Sequence, residues 1–361
     1  MPKKSVKRAV KKKVPPPVSG GAANGGEPSG RDYERMRAEL KERAHFLHMQ
    51  RLRAEDVLRR HEARLLERPE VTGLHVGLKM SKGNFVFPLS YAICVHVSNK
   101  LADDHEKLYF PLETEIEGIP VDVIEARYKK AMADPTTRFV DPIRGGIPIV
   151  RRNHSAGDYG TLGGVAFHNG NPVFITNRHV AIPSGADPAD LEMVQPPNVT
   201  GVTNPMIGSV LDATAPNDDQ LDAAIILAQD PRVIGKGLLD QNNKKLLTPL
   251  VPSFLSPADE HQTQCFKIGA VTGDPTKKGI VESVSATVVI DGVTMRNQIV
   301  VKGQGIMERG DSGSLVLVEG TINGSPVYYV VGLAHAVTDG DKSIVASHFK
   351  DVAQRFGISF S

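Results

Sequence analysis

From about Gly145 to the C-terminus the chain is cut into many short apolar runs separated by Gly, Pro, Asn and Asp. That punctuation suits strands and tight turns, and it signals an all-β sandwich or barrel. The last segment, Ser347 to Phe356, reads instead as a short closing helix. We place the boundaries of this β region at 141–361.

The upstream part reads differently. Residues 69–140 mix strand-like alternation, as in Tyr91-Ala92-Ile93-Cys94-Val95-His96-Val97, with turns, which suits a small α+β module. Residues 31–68 are helical in pattern, with Tyr33, Met36, Leu40, Ala44, Leu47, Ala54, Leu58 and Leu65 spaced by threes and fours or their sums. Arg51 and His61 interrupt that stripe. A helix packed on its own protein and a helix docking a partner or a second copy both fit, because amphipathicity shows only that something covers the stripe. Residues 14–30 are rich in Pro, Gly and Ser and read as a linker. The first 13 residues carry seven Lys or Arg and no acid; with a net charge of +2, residues 14–361 therefore carry −5. A solubilising, disordered tail is the preferred reading of 1–13 and nucleic-acid contact the lesser one, since no aromatic residue interleaves with the lysines.

Within the β region three short segments carry chemistry. Glu308-Arg309-Gly310-Asp311-Ser312-Gly313-Ser314 sets a Ser between glycines, which permit close approach of a substrate carbonyl. The N–H groups of Gly310 and Ser312 are candidates for an oxyanion hole. Val173-Phe174-Ile175-Thr176-Asn177-Arg178-His179 is an apolar run ending at a His, and Leu221-Asp222-Ala223-Ala224-Ile225 opens an apolar run with an Asp. The chain order is His179, Asp222, Ser312, with steps of 43 and 90 residues. The His–Asp–Ser template of acyl transfer on a double barrel has steps of about 45 and about 93. Other serine hydrolase folds use other orders. A Ser hydroxyl needs a base, His179 can take and return its proton, and Asp222 would fix the imidazole tautomer. Asp212, Asp218 and Asp219 are rivals for the acid, but they lie in a polar stretch whereas Asp222 heads an apolar one.

These residues resemble trypsin-like serine peptidases, in Thr176-Asn177-Arg178-His179 and Gly310-Asp311-Ser312-Gly313. Within that superfamily the chain is most similar to the plant Narrow leaf protein and its bacterial relatives. The likeness is carried by Gly160-Thr161-Leu162-Gly163-Gly164, Asp222-Ala223-Ala224-Ile225 and Lys267-Ile268-Gly269-Ala270-Val271-Thr272-Gly273. Val76-Gly77-Leu78-Lys79 and Ile119-Pro120-Val121-Asp122-Val123-Ile124-Glu125 extend it upstream, so it covers roughly 70–361. Ser314 departs from the usual second Gly.

The resemblance implies a chymotrypsin-like double β-barrel, a serine endopeptidase, and a catalytic set of His179, Asp222 and Ser312. It also implies that Ile306, Met307 and Arg309, with the strand carrying Leu333, Ala334, His335 and Ala336, shape the pocket for the residue before the scissile bond. No acid stands at the expected pocket floor, so an apolar preference is the default, and His335 with Arg309 leaves an acidic preference as the alternative. For Asp311 two partners are open. One is a new N-terminus cut near Arg144-Gly145-Gly146-Ile147; the other, preferred, is an internal Lys or Arg. A peptide-binding module on the same fold, with little turnover, is the rival function.

Other chemistries find little support. His45 and His48 lack a third metal ligand, and the Gly-rich stretch Gly20–Gly26 lacks the Lys of a phosphate loop. No cofactor and no metal are implied. No stretch approaches the ~20 apolar residues of a membrane span. Two cysteines, Cys94 and Cys265, are too few for a disulfide framework, which favours a reducing, cytoplasmic setting.

Overall fold

The computed structural model describes residues 30–81, 84–98, 113–126, 128–130, 140, 142–152, 159–183, 191–196, 205–229, 234–240, 242, 244–338, 340 and 342–360. The basic tail and the linker up to residue 29 lie outside them. The architecture is mainly β, as the punctuation suggested, with two curled sheets that resemble a double β-barrel.

The N-terminal helix α1 spans Gly30–Leu66. The longer upstream strands are β1 (Val71–Leu78), β2 (Tyr91–Val97) and β3 (Ile119–Glu125), followed by the short β4 (Tyr128–Lys130). The first curled sheet contains β5 (Ile147–Arg151), β6 (Gly160–Leu162), β7 (Gly164–His168), β8 (Asn171–Thr176), β9 (Glu192–Val194), β10 (Met206–Ala213) and β11 (Ala224–Ala228). Its order is β6-β5-β9-β10-β11-β8-β7, and the two-residue C-terminal strand Ile358–Ser359 adds to β7. The second is built from β12 (Gln264–Lys267), β13 (Gly279–Ile290), β14 (Val293–Lys302), β15 (Leu315–Ile322), β16 (Ser325–Thr338) and β17 (Ile344–His348). The run β12-β15-β16-β17-β14-β13 closes on itself, because β13 also pairs with β12 at Gln264↔Ile280.

Each sheet encloses its own apolar core. Ile147, Phe174, Met193 and Ile226 fill the first, and Val281, Val301, Val316 and Ala346 the second. A third cluster lies between them, where Val173, Ile175 and Ile225 of the first sheet meet Phe266, Leu315 and Leu333 of the second. Phe349, Val352 and Phe356 of the C-terminal helix Phe349–Phe356 pack into the same seam. This helix ends at Gly357, whose φ of 58° is left-handed, as a C-terminal glycine cap requires.

The upstream strands join the second sheet directly. Gly73 and Leu74 of β1 pair with Val288 and Thr287 of β13, and β2 and β3 continue outward. Helix α1 packs on this extension through Ala54, Val57 and Leu65 against Leu74, Val76 and Ile93. The two residues that broke the helical stripe are explained by partners far along the chain. Arg51 is buried and makes a two-pronged pair with Glu260, its Nη2 3.0 Å from Oε1, while His61 meets Glu117 at 2.9 Å. Farther toward the N-terminus of α1, Phe46, Met49 and Leu52 are exposed.

Under β1 and β2 sits a buried polar chain. His75 Nδ1 and His96 Nε2 are 3.0 Å apart, and the Tyr128 hydroxyl reaches His96 Nδ1. Burial lowers both imidazoles below 6.5, with Glu282 and Glu260 opposing it at His75, and with His75 adding to it at His96. Below about 6.5 the unfolded chain binds protons that the folded chain refuses. This part of the stability is therefore complete above that value and is lost on acidification, by up to about 1.4 kcal/mol per pH unit for each imidazole. Urea unfolding at pH 7.5 and 5.5 checks this; a loss no smaller in His75→Gln than in the parent would contradict it.

Candidate active site

His179 lies on α2, the single turn Arg178–Ala181 that follows β8, and Asp222 lies just before β11, the strand paired with β8. The β8–β11 pairing brings the two side by side. Asp222 Oδ1 accepts the backbone N–H of His179 at 3.0 Å, and Oδ2 pairs with His179 Nδ1. Asn177 Nδ2 donates to the Asp222 carbonyl at 2.6 Å, tying the same corner. Burial by itself pulls the Asp222 carboxyl upward, but the charge and hydrogen bonds of His179, helped by the charge of His335, outweigh it and hold the group well below the usual carboxylate range. His179 Nε2 is buried with no hydrogen-bond partner among the described residues. The imidazole is thus oriented through Nδ1 and left open at Nε2.

The rival carboxylates have other partners. Asp212 pairs with Arg355 at 2.9 Å and Asp219 with Arg296 at 3.0 Å, while Asp218 Oδ1 accepts the N–H groups of Gln220 and Leu221 and shapes the turn into Asp222.

Ser312 stands on the turn between β14 and β15. Gly310 has φ 97° and Gly313 φ 96°, angles that a side chain resists. A Cβ on Gly313 would sit 2.1 Å from the Thr161 carbonyl oxygen, so this glycine is required by space as well. Thr161 clamps the turn from β6: its N–H donates to the Ser312 carbonyl at 2.7 Å and its hydroxyl to the Gly310 carbonyl at 2.9 Å. Thr176, at the end of the His-bearing strand, donates to the Thr161 carbonyl at 2.8 Å. Gly160 is where the two halves meet, since a Cβ there would lie 2.3 Å from Val180 beside His179 and 2.8 Å from the Ser312 carbonyl oxygen. The carbonyls of Gly310 and Ser312 are bound while their N–H groups have no internal acceptor among the described residues. Ser314 donates its hydroxyl to the Asp311 carbonyl and tightens the turn.

Asp311 has an internal cation. Lys267 Nζ lies 2.7 Å from Asp311 Oδ2, both side chains essentially without exposure. Oδ1 accepts Val271 N–H and Thr272 N–H at 3.0 Å each, and Oδ2 accepts Glu308 N–H at 2.9 Å. Burial lowers the Lys267 ammonium and Asp311 raises it in opposition. Arg144 and Ile147, the proposed cut, are buried in strands. Lys267 had no role assigned from sequence; its signal is a Lys inside the otherwise apolar Cys265-Phe266-Lys267-Ile268 run.

The pocket candidates do not converge on one exposed surface. Ile306 and Met307 pack in the second core with Ala334, and Arg309 is exposed. His335 is buried, with Nε2 2.8 Å from Gln298 Oε1, and its carbonyl accepts the Ser312 hydroxyl at 3.2 Å. Gln298, whose amide also donates to the Gln220 carbonyl at 2.8 Å, was not foreseen either. Among the described residues no group of three or more His, Cys, Asp or Glu is arranged to hold a metal, and no helix is long and apolar enough to cross a membrane.

No protein-family model and no curated protein matches the sequence significantly. Among solved structures the chain is similar to a glutamic acid specific serine protease described as using a histidine triad in substrate binding, at 15% identity and TM-score 0.46, covering 61% of this chain and 100% of that one. It is also similar to Thermobifida fusca Protease A (16% identity, TM-score 0.42, covering 60% and 97%). A Cellulomonas bogoriensis chymotrypsin gives 15% identity and TM-score 0.40, covering 61% and 98%. At this level the likeness concerns the fold and transfers no residue role.

Proposed function

We propose that the chain is a serine endopeptidase, narrow in target range and related to the Narrow leaf protein group. The observation that supports this most is the His179–Asp222 pair with Nε2 left open, next to a Gly-flanked Ser whose turn keeps two N–H groups unspent. In this reading Ser312 Oγ turns from the His335 carbonyl to His179 and attacks the substrate carbonyl carbon. His179 Nε2 takes the hydroxyl proton while Asp222 stabilises the imidazolium. The N–H groups of Gly310 and Ser312 hold the oxyanion. Collapse breaks the C–N bond, the amine leaves with the proton from His179, and an ester on Ser312 is left. Water, deprotonated by His179, then hydrolyses the ester and restores the hydroxyl. The Lys267–Asp311 pair supplies internally the charge partner that a cut N-terminus would otherwise bring. Free, buried Cys94 and Cys265 suit a reducing compartment, and burial pushes the Cys265 thiol up to about 12.

One observation favours the rival, a peptide-binding module: the Ser312 hydroxyl is buried and bonded to a carbonyl. Incubation with an unstructured protein separates the two. New termini that form with the parent chain and not with Ser312→Ala support the peptidase; binding with no cleavage by either supports the module.

A further inference from the structure

We propose that residues Tyr128–Lys130 occupy, in cis, the strand edge that receives an extended polypeptide substrate, so that the folded chain is a latent peptidase opened by displacing this segment. The inference rests on the endopeptidase reading above.

Strand β16 has β17 along one edge, from Gly332↔His348 to Val337↔Ile344. Along the other edge β15 pairs from Ile322↔Ser325 to Leu315↔Leu333. Past Leu333 that second edge runs into the nucleophile turn: Ala334 N–H donates to Ser314, Gly313 N–H to Ala334, and the Ser312 hydroxyl to His335. The next three residues on the edge are Ala336, Val337 and Thr338. They are paired antiparallel with Lys130, Lys129 and Tyr128.

An edge with free N–H and C=O groups binds an extended peptide by strand addition, using main-chain hydrogen bonds of low sequence demand. A peptide lying antiparallel on Ala336–Thr338 runs, toward its own C-terminus, past His335 and onto Ser312. That edge would therefore hold the residues preceding the scissile bond, and β4 takes it in the same direction a substrate needs.

The segment is held in place mainly from outside the barrel. Tyr128 is buried with its hydroxyl on His96. Gly73 of β1 makes room for its ring, since a Cβ there would lie 2.9 Å from Tyr128 Cε2. Just before β4, Ala126 N–H donates to the Val97 carbonyl at 3.0 Å and Thr72 donates to the Ala126 carbonyl at 2.6 Å. On its other side Tyr128 pairs with Ile290 of β13.

Lys129→Pro in the full chain tests the proposal, because proline disrupts a ladder without touching the candidate catalytic groups. Three readouts are taken on parent and variant: kcat/KM for an extended, internally quenched peptide library, hydrolysis of p-nitrophenyl acetate, and amide hydrogen exchange at Val337. The expected result is a rise of about tenfold or more in kcat/KM for the peptides, as the competent fraction grows, with ester hydrolysis nearly unchanged. Exchange at Val337 should quicken, while Thr338, whose N–H donates to the Ser343 carbonyl, and the other strands keep their protection, which also shows that the variant is folded. Quickened exchange with no gain in peptide turnover overturns the proposal, as does a parent in which Val337 exchanges freely. Absence of Ser312-dependent ester and peptide hydrolysis in both chains overturns the peptidase reading beneath it instead.

Discussion

Asp222→Asn should lower kcat for peptide hydrolysis by about 10⁴-fold while leaving the fold intact, the size expected when a triad imidazole loses its orienting anion. The reason lies in how Asp222 is used. One oxygen fixes the His179 backbone and the other its Nδ1, so the carboxylate sets both the position and the tautomer of the imidazole. An amide of the same shape keeps the backbone bond but can present N–H to Nδ1, which would place the imidazole proton on Nε2, where a base needs a lone pair. Steady-state kinetics alongside urea unfolding checks this. A loss under tenfold, or a change in KM alone, would mean that Asp222 is a structural cap on the α2 corner and that another group serves the base.

Lys267→Met should cost about 3–5 kcal/mol of stability, because it leaves the Asp311 carboxylate buried without its counter-charge. Three backbone N–H groups still reach Asp311, so the carboxylate is solvated in part, but those N–H groups belong to the turns that shape the loop carrying Ser312. Activity should therefore fall beyond what the loss of folded protein explains. The double variant Lys267→Met with Asp311→Asn should recover part of the stability, since a neutral amide no longer needs the cation. Chemical denaturation of the four-member cycle measures the coupling. If Lys267→Met alone stays within about 0.5 kcal/mol of the parent, the pair is incidental to the loop.

Much of the candidate site was legible in the sequence, and the reason is local. His179, Asp222 and Ser312 each sit where a strand ends or begins, and glycines flank the serine, so neighbouring residues announce each one. The mainly β fold was legible for the same reason, through turn residues between apolar runs. What depends on pairing across the chain was not. Nothing near Gly73 and Leu74 reveals that they pair with Val288 and Thr287, and nothing near Lys267 shows that its partner is Asp311. Arg51 looked like a flaw in an apolar stripe until Glu260 supplied its buried partner. Ile306, Met307 and His335 were placed by their distance along the chain from Ser312. The strand and turn geometry instead aims Ile306 and Met307 into the barrel core and His335 at Gln298. The edge held by Tyr128–Lys130 follows from topology alone, because three residues of ordinary strand character carry no mark of what they cover.

The central claim is that Ser312 is a nucleophile activated by His179. It is tested most directly by reacting the 361-residue chain with a fluorophosphonate and mapping the adduct by intact mass and peptide sequencing. The account predicts one adduct, on Ser312, in a chain whose N-terminus has not been cut, and none in Ser312→Ala or His179→Ala. A label on another residue, equal labelling of Ser312→Ala, or labelling only after cleavage near Arg144 would contradict it.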